Sequence, residues 1–415
     1  MNFIEQPIQP LQRQFMPIAA AGAMALFIGA IYFSTSLAII LSAVLGALWL
    51  ATAQFLGLPA LLRRQPVAAW ALILFGCFLI GLGYGSATAD EAVSMIKKYR
   101  ELVFMPVLLA FLTTPRYRSW AWTAFVIASV VTLLASYLID WDVFGLSRLG
   151  EPAVPGKPRD PTLKSRITHG IVIAFFCFYC LHKFYDGGRY AILYLIGSLL
   201  CLYNLFFMVE GRTGQLIVLV LIALFAVQRL NKQGRWLVLL ALVVFLGLFL
   251  GFSKKAERIN EGFANTQSYL QKRSDPTSTS MGQRYTFWKH SLRLIVEKPW
   301  FGHGTGSFAG EYRRVAVGEK VMTQNPHNEF MMIGVQLGLF GLIPYAAFFA
   351  GQFYCWRGLP EQDKRLAQGL LVSLLITSLF NTPLFDHTEG HWYIAMIALC
   401  FAGLGADARA RVPHA

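Results

Sequence analysis

Hydrophobic stretches of roughly 20 residues recur along the chain, each long enough to cross a bilayer core of about 30 Å as a helix. Such segments must satisfy their own backbone hydrogen bonds, which leaves an all-α bundle as the available fold. Composition agrees. The chain is 56% hydrophobic and 14% charged, against the ~25% charge of soluble domains. Twelve candidate spans emerge, near residues 16–33, 36–60, 67–84, 101–114, 119–139, 166–183, 190–209, 212–228, 236–252, 327–353, 366–381 and 391–406. The expected architecture is a polytopic membrane protein of about 12 transmembrane helices.

Only one long polar stretch interrupts this pattern. It divides the chain into spans one to nine (1–252), a loop (253–325) and spans ten to twelve (326–415). Arg63, Arg64, Arg116, Arg118, Lys183, Arg189, Arg229, Arg357 and Lys364 fall in short turns on one side. The positive-inside rule puts that side, with both termini, in the cytoplasm and the long loop outside. A polar tail carrying prolines precedes the first span without a cleavable signal pattern, so that span reads as an uncleaved anchor. The outer face stays cationic despite its carboxylates. An anionic ligand and ordinary solvated charge both fit that excess. All six cysteines lie in spans or near the inner face, which suits core thiols rather than a disulfide framework.

Within the long loop, Ser274–Ser280 is a flexible polar patch. Arg284 to Glu297 follows as an amphipathic helix, with Trp288, Leu292 and Ile295 at helical spacing. Gly302-His303-Gly304-Thr305-Gly306 is a glycine-rich turn; without a βαβ context it is no dinucleotide fingerprint. The stretch from Asp140 to Ser165 is expected to be irregular and to lie over the helix mouths.

The chain re-enters hydrophobic sequence through Asn325-Pro326-His327-Asn328-Glu329. Asn325 is a plausible N-cap and Pro326 a favoured first helical residue, which would place His327 in the first turn. There the helix dipole would lower its pKa and leave a neutral imidazole able to take a proton from a hydroxyl. A structural histidine bonded to a loop carbonyl is the alternative. Arg212, in Glu210-Gly211-Arg212-Thr213-Gly214, opens a span where a cation opposes the dipole. Either Glu210 pairs it or a phosphate binds it, since a planar guanidinium donates two parallel bonds. Arg284, Arg166 and Arg100 also stand near helix starts. Each fits interfacial snorkelling, and together they fit a converging diphosphate clamp. Asp386, beside His387, Glu389 and His391, lacks a fixed metal-ligand spacing, so pairing with an arginine is preferred and no metal site is expected.

These elements resemble the O-antigen ligase and polymerase superfamily of bacterial envelope glycosyltransferases. The matching pieces are Glu210-Gly211-Arg212-Thr213-Gly214, Arg284 with Trp288, Pro299-Trp300-Phe301-Gly302-His303-Gly304-Thr305-Gly306, and Pro326-His327-Asn328-Glu329-Phe330 leading into Gln336-Leu337-Gly338. The resemblance implies a GT-C-like enzyme of the bacterial inner membrane, acting at its periplasmic face without metal or cofactor. Its donor would be a glycan on undecaprenyl diphosphate, and its acceptor the lipid A–core oligosaccharide. His327 would be the base. Arg212 and Arg284 would hold the diphosphate, with Arg166, Arg100 and Asp386 as further substrate-binding residues. An O-antigen polymerase using the same donor remains open, as does a lipid or sugar transporter, although transporters place ionisable residues near the midplane.

Overall fold

The computed structural model describes residues 10–150, 159–253, 266–267 and 279–404, with side chains from Ile18 onward. Residues 274–278 of the polar patch, most of the first half of the long loop, residues 151–158 and both termini lie outside the described residues. Regular secondary structure among the described residues is helical. In chain order the helices are α1 (Pro10–Phe33), α2 (Thr35–Ala51), α3 (Leu58–Arg64), α4 (Pro66–Ile80), α5 (Ala89–Tyr99), α6 (Glu101–Leu112), α7 (Pro115–Asp140) and α8 (Arg166–Asp186). There follow α9 (Ala191–Tyr203), α10 (Arg212–Arg229), α11 (Lys232–Phe252), α12 (Ser280–Glu297), α13 (Phe308–Val315), α14 (Glu329–Cys355), α15 (Glu361–Phe380) and α16 (His387–Phe401).

Among the described residues, seven helical stretches are long and apolar enough to cross a membrane: 66–83, 115–140, 166–186, 191–208, 212–229, 232–252 and 329–358. An eighth arises if α2 and residues 54–64, bent by 79° at their junction, form one span. The other expected spans are helices at their places but fall short for definable reasons. Of α1, the part with described side chains, Ile18–Phe33, is apolar but too short to count as a full span. Helix α6 has 12 residues, ~18 Å of rise, and contains Pro106. Helix α15 opens on Glu361, Asp363, Lys364 and Arg365, and α16 has 15 residues.

Packing follows the apolar pattern. Helix α16 is apolar on every side and buried from Gly390 to Phe401, which makes it the core of the bundle. Helix α8 runs between α9 and α10, α4 along α14, α1 against α2 and α7, and α6 against α16. At the α8–α10 crossing a Cβ on Gly214 would lie 2.6 Å from the Gly170 Cα, so only paired glycines allow this backbone contact. It brings the first residues of the two helices, Arg166 and Arg212, to the same end. Helix α11 has 6% of its apolar window buried and forms an outer edge.

The glycine-rich turn is no ordinary turn. Helix α14 breaks at Gly338, where φ is 58° and ψ −150°. In an unbroken helix Leu339 N–H would bond the Val335 carbonyl, and Phe340 N–H that of Gln336. Instead Leu339 and Phe340 donate to the carbonyls of Pro299 and Trp300, at 2.8 and 2.9 Å. His303 and Gly304 donate back to the carbonyls of Val335 and Gln336, at 2.9 and 2.7 Å. Two lost helical bonds are thus replaced by four bonds to the loop. The Gly306 N–H is accepted by Gln336 Oε1 (2.8 Å), Thr305 N–H by the Gly81 carbonyl (3.0 Å), and the Thr305 hydroxyl by that of Phe78 (2.6 Å). The loop therefore joins α14 to the end of α4, and it fixes α12, which it follows directly, beside the start of α14.

Helix α12 keeps part of the expected amphipathic face, since Trp288 and Ile295 are partly buried against the core. Its buried side carries Gly282, Thr286, Phe287, His290, Ser291 and Leu294, whereas Leu292 is exposed. Docking against α14 selects the inward face, and Trp288 reaches the segment before α14.

Gly304 has φ +90°, and a Cβ there would lie 2.0 Å from the Gly85 Cα. G304A should destabilise the protein by about 2–4 kcal/mol through overpacking and left-handed strain. Thermal unfolding in detergent checks this. G310A, where an added Cβ meets nothing within 4 Å, should unfold no earlier than wild type.

Candidate functional site

His327 does not lie where a simple capping argument puts it. Helix α14 starts at Glu329, with Asn328 as N-cap accepting the Met331 N–H at 3.0 Å. Asn325 is used otherwise. Its Oδ1 accepts the His327 N–H at 2.7 Å, closing a local turn, and its Nδ2 donates to Thr382 Oγ1 at 2.7 Å. His327 therefore precedes the cap and takes a left-handed backbone, φ 52°. Such a conformation is uncommon for a non-glycine residue and persists only where its surroundings enforce it. Here the enforcement is visible. The Trp288 indole N–H donates to the Pro326 carbonyl at 2.9 Å, clamping the preceding peptide to α12.

The ring itself is half-buried, and its Nδ1 lies 3.3 Å from Asn381 Oδ1 at the end of α15. Burial pushes the His327 pKa below its ordinary value, the nearby Arg284 charge adds to this, and the Asn381 contact partly opposes it. The lowering expected from the sequence is present, with a different cause: the ring stands outside the first helical turn, so the dipole is not the agent.

Arg284 lies in the first turns of α12, whose N-cap Thr279 accepts the Gly282 N–H at 3.1 Å. It makes no hydrogen bond or ion pair with any described residue. Burial and the neighbouring Arg212 charge push its pKa down to about 10, which still leaves it protonated at neutral pH. Arg212 donates to Ser280 Oγ at 3.0 Å, tying the start of α10 to the start of α12. Two guanidinium groups are thus held close enough to repel, and one of them also acts on His327. Like charges in proximity cost stability unless an anion lies between them.

The remaining expected site residues divide. Arg166 stands at the start of α8 but is paired with Asp160 at 3.0 Å. Arg100 lies at the α5–α6 junction, where its charge acts on Glu101 and His391, and its Nη2 is buried without a hydrogen bond. Asp386 is the N-cap of α16, accepting the N–H groups of Thr388 (2.9 Å) and Glu389 (3.2 Å). The expected arginine pairing of Asp386 is therefore replaced by a capping role, because α16 needs an acceptor for its first N–H groups. His387 and His391 both approach Glu101, at 3.0 and 3.2 Å. Among the described residues no group of three His, Cys, Asp or Glu side chains is arranged to hold a metal ion.

The ring faces a cavity of about 420 Å³ whose wall includes Asn325, His327, Asn381, Thr382, Lys98, Ser165, Thr388 and Glu389. A second, apolar groove of about 480 Å³ lies between α9, α10 and α11, lined by Leu199, Tyr203, Phe206, Leu219, Val238 and Phe245. Leu219 is seven residues from Arg212, ~10 Å along α10. The site thus joins a base-like ring, a pair of cations, a polar cavity and a nearby oily groove.

In the sequence Glu389 reads only as a candidate metal ligand, and Asn381 is given no role. Neither belongs to a recognisable spacing; they flank a turn and meet only because α15 and α16 pack together. The available signal was two buried-capable polar residues bracketing the last outer turn beside Asp386.

A family model described as O-antigen ligase matches residues 196–346, which takes in Arg212, Arg284, the glycine-rich loop and His327. The chain is also similar to an O-antigen ligase of Pseudomonas aeruginosa, 24% identical over 339 residues, covering 79% of this chain and 75% of that one.

If the Arg212–Arg284 pair is an anion site, inorganic pyrophosphate should stabilise the purified protein. At about ten times its Kd the gain is about 1.4 kcal/mol, read as a higher unfolding midpoint. R284A should lose this shift. An equal shift in wild type, R212A and R284A would place the anion elsewhere.

Proposed function

We propose that the chain is an O-antigen ligase, the family that its residues 196–346 match, and that it moves a glycan from undecaprenyl diphosphate onto the lipid A–core oligosaccharide. In this reading the protein spans the bacterial inner membrane with GT-C-like architecture, the short helices α1–α3, α6, α15 and α16 completing about twelve spans with the seven long ones. Both termini are cytoplasmic, and residues 253–325 form the periplasmic loop over the site.

The observation that carries the reading is the electrostatic pairing of His327 with an arginine that no described residue neutralises. A sugar hydroxyl of the acceptor enters the polar cavity beside His327. As its oxygen bonds the anomeric carbon of the donor, its proton passes to the imidazole. The bond from that carbon to the diphosphate oxygen breaks, and the electron pair leaves with the diphosphate. Arg284 and Arg212 stabilise the charge that develops there. Arginine suits this better than lysine because its fork holds two oxygens at once. A diphosphate is already a good leaving group, so acceptor activation and charge stabilisation suffice for the step without a metal or cofactor. The apolar groove near Arg212 suits part of a polyprenyl tail. Arg166, Arg100 and Asp386 act at the margin of the site, through Asp160, Glu101 and the start of α16.

In reconstituted transfer with lipid-linked glycan and core lipid, H327A should abolish product while the protein stays folded. R284K should recover little of the activity lost in R284A. The base must be unprotonated, so activity falls as pH drops through the His327 pKa, here below the ordinary value of ~6.5. R284Q removes a cation beside the ring, raises that pKa, and should move the acid limb to higher pH. Unaltered transfer by H327A would end the proposal. In cells, loss of a ligase leaves the core without glycan, whereas loss of a polymerase leaves single repeats attached.

A further inference from the structure

We infer that Asn381 and Glu389 are positioning residues that decide which nitrogen of His327 carries the proton and faces the cavity. The inference rests on the reading of His327 as the base and adds the device that makes it one. A general base needs its lone pair toward the hydroxyl, and an imidazole has two nitrogens of which either can hold the proton. The choice follows from what the other nitrogen meets.

Nδ1 meets Asn381 Oδ1 at 3.3 Å, while Asn381 Nδ2 donates to Glu389 Oε2 at 3.0 Å. A carboxamide has one accepting end and one donating end. Its orientation is set by Glu389, whose Oε2 accepts whether the carboxyl is ionised or holds a proton on Oε1, toward Thr168 at 3.3 Å. Glu389 is 2% exposed and Asn381 6% exposed, so water does not compete freely for either. With Nδ2 committed to Glu389, Oδ1 must face the ring. An acceptor at Nδ1 places the proton there, leaving Nε2 as the site that takes the acceptor's proton. A contact of 3.3 Å is long, as such contacts often are before substrate binds.

The geometry crosses three helices: Asn381 ends α15, Glu389 lies in the first turn of α16, and Thr168 in the first turn of α8. The Ser165 hydroxyl lies 3.0 Å from Thr168 Oγ1 and completes the row. Other charged or titratable groups lining the same space are Lys98 from α5, and Asp386 and His387 at the start of α16, while the Arg284 charge from α12 acts on the ring. None of these touches Nδ1.

The test is a pH profile of glycan transfer by the full-length protein for N381A, E389A, E389Q and the double variant N381D/E389Q, beside H327A. N381A should lower kcat by about 100-fold, the lower end of what a positioned base supplies, with donor KM little changed. E389A should fall similarly. E389Q keeps an accepting oxygen for Asn381 and should retain most activity. The double variant exchanges donor and acceptor while keeping the link, and sets a carboxylate against Nδ1. It should stay active, with its acid limb about 1 pH unit higher, a displacement that a merely structural contact would not produce. Wild-type kcat in folded N381A, or an active double variant with an unmoved limb, overturns the inference. If N381A does not fold, the double variant decides alone. Transfer surviving in H327A would instead overturn the base reading itself, so the two failures are distinguishable.

Discussion

The four backbone hydrogen bonds between the glycine-rich loop and the broken helix α14 are the constraint from which the site follows. A break inside a span exposes peptide groups where the bilayer offers no partners, and each unmet group costs several kcal/mol. The break at Gly338 is therefore tolerable only with residues 299–304 in place. That requirement leaves α12 little freedom, because it runs straight into the loop. Arg284 on α12 and His327 ahead of α14 are thus held on a common frame although the loop between them is long.

Around that frame the chemistry gathers at helix starts. Helices α8, α10, α12, α14 and α16 all begin at the same end, and their opening turns, with the residue ahead of the α14 cap, supply Thr168, Arg212, Arg284, His327 and Glu389. Helix N-termini favour negative charge, so this end suits an anionic substrate even before its arginines are counted. The Gly170–Gly214 contact brings α8 and α10 together, and the Arg212–Ser280 bond adds α12. The site is consequently a property of the bundle rather than of any one loop.

Much of this was legible from the sequence. The hydrophobic stretches give the helical membrane architecture because they respond to one dominant solvent constraint. His327 and the pair Arg212 and Arg284 stood out because charged and titratable residues are scarce here and stand at span ends. What could not be read depends on tertiary neighbours. Asn325 and Asn328 are equally good caps in isolation, and only the bond from Asn325 to Thr382, 57 positions away, shows why the second takes the role. Asp386 looked like an ion-pair partner because its cap function requires knowing where α16 starts. Asn381 and Glu389 carry no spacing rule at all. Hydropathy likewise located α6, α15 and α16, of which α6 carries Pro106 and α15 opens on a charged turn.

The left-handed backbone at His327 also determines what an inert form of this protein should look like. Alanine removes the imidazole but leaves a residue that dislikes φ 52°, so silence after that change mixes lost chemistry with a relaxed peptide. Asparagine tolerates the same conformation far better, and its amide reaches part of the ring's volume. On the proposed reading, it is the substitution best suited to holding donor and acceptor together in an undistorted vestibule.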